Sequence, residues 1–378
     1  MRIFKVLLIA FFSLLTLQPA FAQPQLSDRA SVTLLTCGPG AELYSIFGHT
    51  AIRVYDPENA VDTVYNFGTF DFDTPNFYLK FIKGDLQYFV SVSSYNDFVY
   101  QYKYYNRDVY EQILNLNTLQ KQNIYNELNE ILLSDRKFYT YKFIDRNCTT
   151  MVADIINKYI DTEISHQVAD MGKTNRKIIY ERLDNLFYES LCINIMFGYK
   201  TDTELYKLFL PNQLMEGVSK TVTSNGNLVQ ETHTIYQSVE GKSENSAWWN
   251  NYYTYAAIVI ILIAATRSKT FMLSYLTVAG ILGIFLSLVG FYSLHQEVLQ
   301  NYNTLLFNPL FIPLVFFIFL KKNKAIKYTI YTCFALMAVY ALFMVNKPHI
   351  TMMLPLIILH SIILLRTVKN LNIKNVSI

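Results

Sequence analysis

A cysteine at the start of a helical pattern is the residue of this sequence best suited to nucleophilic chemistry. Cys148 follows Asn147, and the apolar residues between Met151 and Tyr159 recur at helical spacing. The thiol is therefore expected at a helix N-terminus. Unpaired backbone amides and the helix dipole favour the nucleophilic thiolate there. The alternative interpretation is a small cysteine buried in a core.

His49 is the histidine whose surroundings suggest a base. It opens a strand-like run in which Ile52 and Val54 share one face by period two. A turn signal at residues 56–59 and a second strand-like run at 61–70 follow. The pattern predicts a hairpin whose first strand begins at His49. A structural histidine at a strand end is the other interpretation.

An amide side chain is the candidate third member of a cysteine–histidine–polar triad. In a hairpin centred on the turn, His49 lies across from about Asn66, whose amide could fix the imidazole tautomer. Asp71 and Asp73 compete for this role, and Asn66 is also explained as a polar residue at a strand edge. The occurrence of His49 and Asn66 together with Cys148 favours the catalytic interpretation.

The composition and the N-terminal segment predict the cellular compartment in which these residues act. The chain has 378 residues, of which 52% are hydrophobic, so a membrane part is expected. Residues 1–22 combine a basic start, a short apolar run and a small-x-small site, and we predict a signal peptide cleaved after Ala22. The net charge of +3 and the lack of a basic cluster interleaved with aromatics argue against nucleic-acid binding.

The elements that must position the site divide into two parts. Residues 23–247 are mixed and polar, with strand-like stretches and amphipathic helices, and predict one α+β domain. Residues 248–378 are predicted to form a transmembrane domain, because five apolar stretches separated by short loops follow one another there. Basic residues cluster in alternate connections and place those on the cytoplasmic side. Its five predicted helices are 252–266, 271–293, 304–320, 327–345 and 350–365.

Four cysteines are too few for a disulfide scaffold, although a single bridge between Cys37 and Cys192 stays open. The sequence shows no glycine-rich phosphate loop and no His, Cys and carboxylate set at metal-ligand spacing. We therefore predict no cofactor and no metal.

The order of these motifs resembles a known group of enzymes. A histidine on a strand, a polar residue on the next strand and a later Asn-Cys opening a helix are found in circularly permuted papain-like enzymes of the NlpC and lecithin:retinol acyltransferase group. The fuller pattern resembles the Lnb family of lipoprotein N-acyltransferases, which pair such a periplasmic domain with a C-terminal membrane bundle. The motifs that carry this resemblance are residues 36–40, 44–54, 64–72 and 147–150.

The resemblance implies a circularly permuted papain-like fold and an acyl transfer at the bacterial inner membrane. A phospholipid would donate the acyl chain through a Cys148 thioester, and the α-amino group of a diacylglyceryl-modified lipoprotein cysteine would accept it. Polar residues at the outward end of the membrane part are candidates to bind a headgroup or the acceptor amine, or are ordinary loop residues. These are His295, Asn303 and Asn308.

Two other functions fit the same residues. A membrane-anchored cysteine hydrolase, either a cell-wall endopeptidase or a protease, would use the same triad and should stay active as the soluble fragment 23–247. A non-enzymatic envelope receptor or assembly factor should tolerate Cys148→Ser.

Overall fold

A computed structural model of the chain describes residues 24–42, 44–239 and 247–375, with side chains up to residue 369. The predicted signal peptide, 1–22, lies outside the described residues.

Seven antiparallel strands form the sheet of the first part, in the order β6-β4-β3-β2-β1-β5-β9. The predicted hairpin is present, and its two strands are joined at residues 57–60. The strands are β1 (Ser31–Cys37), β2 (His49–Asp56), β3 (Val61–Thr69), β4 (Gln87–Ser94), β5 (Val109–Leu114), β6 (Phe138–Thr140) and β9 (Val229–Tyr236), with β7 (Val222–Thr223) and β8 (Gly226–Asn227) paired separately.

Helices cover both faces of the sheet. Ile52 and Val54 of β2 share a core with Val152 and Ile156 of the helix Cys148–Tyr159, as the period-two and helical patterns predict. The other face is covered by the helix Tyr95–Tyr104, which contributes Phe98. The mixed helix-and-sheet class is confirmed. The helices here are α1 (Phe77–Lys83), α2 (Tyr95–Tyr104), α3 (Thr118–Leu133), α4 (Cys148–Tyr159), α5 (Asn175–Arg182), α6 (Phe187–Met196) and α7 (Pro211–Ser219).

Five apolar helices follow in the described part of the chain after residue 247. Three of them are long and apolar enough to cross a membrane, namely Lys269–Tyr292, Asn323–Met344 and Ile350–Lys369 within α12. The helix Tyr252–Ala265 is shorter. The helices are α8 (Tyr252–Ala265), α9 (Lys269–Tyr292), α10 (Phe311–Phe319), α11 (Asn323–Met344) and α12 (Ile350–Asn375).

The third apolar stretch differs from the predicted helix at 304–320. A 3₁₀ turn at Tyr302–Leu305 and irregular backbone around Pro309 come first, and α10 begins only at Phe311. A proline disfavours α-helical geometry in the residue before it, so Asn308 cannot easily continue a helix. The nine residues of α10 span ~14 Å, about half of the hydrocarbon core of a bilayer.

The sheet domain is packed against one end of the helical bundle. Leu294 N–H, just after α9, donates to the carbonyl of Lys83 at 2.7 Å, and Lys347, just before α12, lies 3.2 Å from Asp202. At the opposite end, Arg366 of α12 donates to the carbonyl of Ile263 near the end of α8 at 2.6 Å. The basic connections are thus gathered at the end of the bundle that faces away from the sheet domain.

Helix α6 joins the two parts. Its Phe187 and Leu191 belong to the same buried cluster as Tyr255 of α8 and Met352 of α12. Tyr188 N–H donates to Oδ1 of the bundle's Asn250 at 2.8 Å. A segment of the first part is therefore built into the core of the membrane bundle.

Candidate active site

Cys148 is the first residue of α4, where the sequence predicts it. Asn147 caps the helix, because its Oδ1 accepts from Thr150 N–H at 2.9 Å while Thr150 Oγ1 accepts from Asn147 N–H at 2.9 Å. Asn147 Nδ2 also donates to the carbonyls of Phe143 and Phe209, at 2.7 and 2.8 Å. This cap fixes the start of the helix, and with it the backbone position of the thiol.

The backbone around Cys148 is arranged to receive negative charge. Burial raises the pKa of the thiol, whereas hydrogen bonds from the backbone of Thr50, Thr149 and Cys148 itself lower it. The hydroxyls of Thr50 and Thr149 are 3.1 Å apart and link β2 to the first turn of α4. Burial dominates, so the resting thiol needs a base to become a thiolate.

His49 opens β2, next to Thr50, and Asn66 lies on the neighbouring strand β3. His49 Nε2 is 3.4 Å from Asn66 Oδ1, although the register partner of Asn66 is Ala51, so the contact is diagonal rather than directly across. Asn66 Nδ2 donates to Ser93 Oγ at 3.4 Å. The amide oxygen therefore accepts from Nε2–H, which leaves the lone pair on Nδ1 of the imidazole.

The competing carboxylates do not share this position. Asp71 and Asp73 are exposed in the turn that follows β3, where Asp71 Oδ1 accepts from Asp73 N–H at 2.9 Å. That Asx-type contact explains Asp71 as a turn residue. The structure brings Asn66, and not the two aspartates, to His49.

The imidazole of His49 is held in its neutral form. Burial lowers the pKa of His49 to about 4, the charge of Arg107 lowers it further, and the hydrogen bond with Asn66 raises it. The ring stacks on Tyr102, with centroids 6.4 Å apart and planes at 12°. At neutral pH the ring can therefore accept a proton.

The sequence did not predict several residues that lie around His49 and Asn66. Cys37 is the register partner of His49 on β1, and burial strongly raises the pKa of its thiol. Arg107 donates through Nε to the carbonyl of Gly38 at 2.9 Å, and its guanidinium lies 4.6 Å from the ring centroid of Tyr102. These residues come from β1 and from the end of α2, so only the sheet register could have placed them beside His49.

A buried tyrosine hydroxyl also lies close to Cys148. Tyr139 Oη has no hydrogen-bond partner within the part of the chain that the structure describes. Gly68, whose φ is +94°, lies between the two, since a Cβ placed there would be 3.9 Å from both Cys148 Cβ and Tyr139 Oη. This hydroxyl is free to donate to an oxygen that occupies the site.

A loop of the membrane bundle supports the segment that precedes Cys148. Glu297 is buried, and its Oε1 accepts from Ile144 N–H at 3.2 Å, four residues before Cys148. The carbonyl of Glu297 accepts from Gly198 N–H at 2.7 Å. Nothing in the local sequence marks Glu297, because its partners are distant in the chain.

A groove of about 920 Å³ runs between α4 and this loop. Lys142, Arg146 and Met151 line one side, and Gly290 and Leu294 line the other. Met151 is one helical turn beyond Cys148, so the groove passes close to the site and opens between the sheet domain and the bundle.

Two of the three polar residues expected to bind substrate are buried and hydrogen-bonded within the protein. Asn303 is 0% exposed, and its Nδ2 donates to the carbonyls of Asn194 and Ile195, each at 3.0 Å, while its Oδ1 accepts from Tyr340 at 2.8 Å. Asn308 is also buried and accepts from Leu310 N–H at 3.0 Å. Asn303 is thus fully bonded to the protein, whereas Asn308 Nδ2 is buried without a hydrogen-bond partner in the described part of the chain, so substrate binding by these residues stays a prediction.

His295 contacts the sheet domain. Its Nε2 is 2.8 Å from the carbonyl of Phe81 at the end of α1, and its ring packs edge-on against Phe81. The imidazole thus joins the bundle to the sheet domain, a role that the sequence did not indicate.

Cys37 and Cys192 do not form a bridge, since both are free. Cys37 is buried in the sheet, whereas Cys192 is exposed on α6. Within the described ranges, no group of three or more His, Cys, Asp or Glu side chains could hold a metal ion.

Comparison with known proteins identifies both parts of the chain. Residues 19–180 match the Lnb N-terminal periplasmic domain, and residues 246–376 match the Lnb transmembrane domain. No match is found among curated proteins or among solved structures. The two matches occur in order and cover most of the chain: this protein belongs to the Lnb family of membrane lipoprotein-processing enzymes, with a periplasmic N-terminal domain and a C-terminal transmembrane domain.

Proposed function

We propose that this protein is a lipoprotein N-acyltransferase that uses Cys148 as nucleophile, His49 as base and Asn66 as the residue that orients the base. The observation that carries the proposal is the start of α4, where Cys148 is capped, surrounded by backbone amides and supported by Glu297 of the membrane bundle. A nucleophile supported from the bundle suits substrates that are themselves held in the membrane.

The first half-reaction would form a thioester. Neutral His49 accepts the Cys148 proton on Nδ1, and the thiolate attacks an ester carbonyl of a glycerophospholipid. The amide hydrogens near Cys148 and the hydroxyl of Tyr139 are the donors available to the tetrahedral oxyanion. The imidazolium returns its proton to the leaving alkoxide, and lysophospholipid departs.

The second half-reaction would form an amide. The α-amino group of the diacylglyceryl cysteine of a lipoprotein attacks the thioester carbonyl, and His49 accepts a proton from the amine. The C–S bond breaks and the proton passes to the Cys148 thiolate, which restores the thiol. Because an amide is more stable than a thioester, the sequence runs toward the N-acylated lipoprotein.

The proposed setting is the bacterial inner membrane, with the sheet domain in the periplasm and the C-terminus in the cytoplasm. The basic connections at the far end of the bundle support this orientation through the positive-inside rule. Both substrates would then meet Cys148 at the periplasmic surface of the membrane.

The experiment is intact-mass analysis of the N-terminal peptide of a reporter lipoprotein. Cells that lack the protein are complemented with wild type, with Cys148→Ala or with the matched control Cys192→Ala, whose cysteine is exposed on α6. We expect the third acyl chain with wild type and Cys192→Ala and its loss with Cys148→Ala.

An acylation state that never changes would reject the lipoprotein substrate and favour a hydrolase. The soluble fragment 23–247 is a poor test of that alternative, because removing the bundle exposes the apolar face of α6 and removes Glu297 from Ile144. Loss of activity in the fragment would follow for either enzyme.

A further inference from the structure

Helix α1 exposes apolar side chains that a water-facing helix normally lacks. None of its seven residues is buried, and Tyr78 is 75% and Leu79 65% exposed. Phe81 and Ile82 are exposed as well. A contiguous patch of this kind indicates a surface that meets another apolar phase.

The end of α1 is fixed to the outward end of a membrane-spanning helix. The carbonyls of Phe81, Ile82 and Lys83 accept from the segment just after α9, from His295 Nε2 at 2.8 Å, Ser293 Oγ at 3.1 Å and Leu294 N–H at 2.7 Å. The helix therefore lies level with the point where α9 ends at Tyr292.

The composition around this point is that of a membrane interface. Phe291 and Tyr292 are exposed at the end of α9, and the ammonium of Lys83 lies 5.8 Å from the ring centroid of Tyr292. Exposed aromatic rings favour the headgroup region, and Lys83 lies beside them in an ion pair with Asp85 at 2.5 Å. Lys80 adds a second positive charge on α1.

Two further exposed rings extend the patch. Phe72 packs against Phe77 with centroids 5.0 Å apart, and Tyr44 packs edge-on against Phe72 at 6.4 Å. We define α1 together with Tyr44 and Phe72 as the aromatic platform.

We propose that the aromatic platform inserts into the outer leaflet of the membrane that the bundle spans, so that the sheet domain is bound to lipid at a second point besides its covalent link to the bundle. The occupant of this surface is phospholipid, because the platform is continuous with the outward end of α9 and combines apolar rings with lysines.

An internal row of aromatic rings connects the platform with the nucleophile. Phe77 contacts Phe70 at 5.9 Å, Phe70 contacts Tyr88 at 5.3 Å, and Tyr88 stacks on Tyr141 at 4.6 Å. Tyr141 and Cys148 pack against the same core cluster. The row therefore links the platform to the core against which Cys148 packs.

Insertion is measured by tryptophan quenching in the full-length protein in phosphatidylcholine vesicles with brominated acyl chains. Trp248 and Trp249, the two tryptophans of the chain, are first changed to Phe, and Leu79→Trp is introduced. We expect a blue-shifted emission that loses most of its intensity in the brominated vesicles. Tyr78→Trp is a second reporter if the first variant does not fold.

The matched control is Leu119→Trp. Leu119 is 69% exposed, close to the 65% of Leu79, but it lies at the opposite end of α3 from Arg136, which lines the groove facing the bundle. Its emission should be unaffected by the brominated lipid. Equal emission of Leu79→Trp with and without bromine, or equal quenching of Leu119→Trp, would overturn the proposal. Repeating the measurement with Cys148→Ala keeps the result independent of the acyl-transfer reaction.

Discussion

The protonation state of His49 is set by its burial and by two neighbours, Arg107 and Asn66, that shift its pKa in opposite directions. Burial and Arg107 keep the imidazole neutral, while Asn66 raises its pKa and holds Nε2. Asn66 is itself fixed by Ser93. The geometry leaves Nδ1 as the proton-accepting nitrogen of the proposed base, so changes at Asn66 should alter pH dependence as well as rate.

We predict that Asn66→Ala and Asn66→Asp move the acid limb of the pH–rate profile in opposite directions. The active form is the neutral imidazole, so activity is lost as the pH falls through the pKa of His49, which is about 4. Asn66→Ala removes a hydrogen bond that raises this pKa and should move the limb to lower pH. Asn66→Asp adds a negative charge and should move it to higher pH.

Asn66→Ala should also slow thioester formation by about a hundredfold at neutral pH, because the base loses its orientation, whereas Asn66→Asp keeps an oxygen that accepts from Nε2–H and should slow it less. The profiles can be measured as acyl-enzyme formation on Cys148 with phospholipid vesicles. Identical acid limbs in the two variants would mean that Asn66 has only a structural role.

The elements that carry the proposed triad could be predicted from the sequence, but the residues that surround the triad could not. Period two in β2 and helical spacing in α4 reflect burial on one face, which is a local property, so the strand start at His49 and the helix start at Cys148 could be predicted. Arg107 and Tyr139 reach the site through strand order and helix packing. These long-range contacts leave no periodic signal in one sequence.

The contact between β2 and α4 depends on a pair of threonine hydroxyls, and we predict that breaking it is costly. Thr149→Val keeps the shape but leaves the buried hydroxyl of Thr50 without its partner, which should destabilise the protein by about 1–3 kcal/mol. The measurement is thermal unfolding in detergent. Thr50→Val combined with Thr149→Val removes both hydroxyls and should recover part of the loss. A double variant less stable than either single one would contradict this account.

At the scale of the whole molecule, the two parts of the chain share a buried core in addition to their covalent link. The third membrane helix begins later than predicted because Asn308-Pro309 interrupts it, and this proline is a local signal in the sequence. The hydrogen bonds from Asn303 to the backbone of α6 could not be predicted, because the partners are distant in the chain. From the sequence, polar residues near the outward end of the bundle are candidate substrate ligands or ordinary loop residues. In the structure Asn303 and Asn308 satisfy backbone that is buried among the membrane helices.

Arg176 lies where the two parts meet, with its guanidinium 5.4 Å from the ring centroid of Tyr302 of the bundle. It is 2% exposed, and it donates to Asp202 at 2.9 Å and to the carbonyl of Phe197 at 2.8 Å, while Asp202 also binds Lys347 of the bundle at 3.2 Å. Arg176→Met should lower stability by about 3–5 kcal/mol, because it leaves a buried carboxylate with one partner. Lys347→Met should cost less, because Asp202 keeps Arg176. Melting temperatures in detergent decide the order, and a Lys347 variant as unstable as the Arg176 variant would contradict this account.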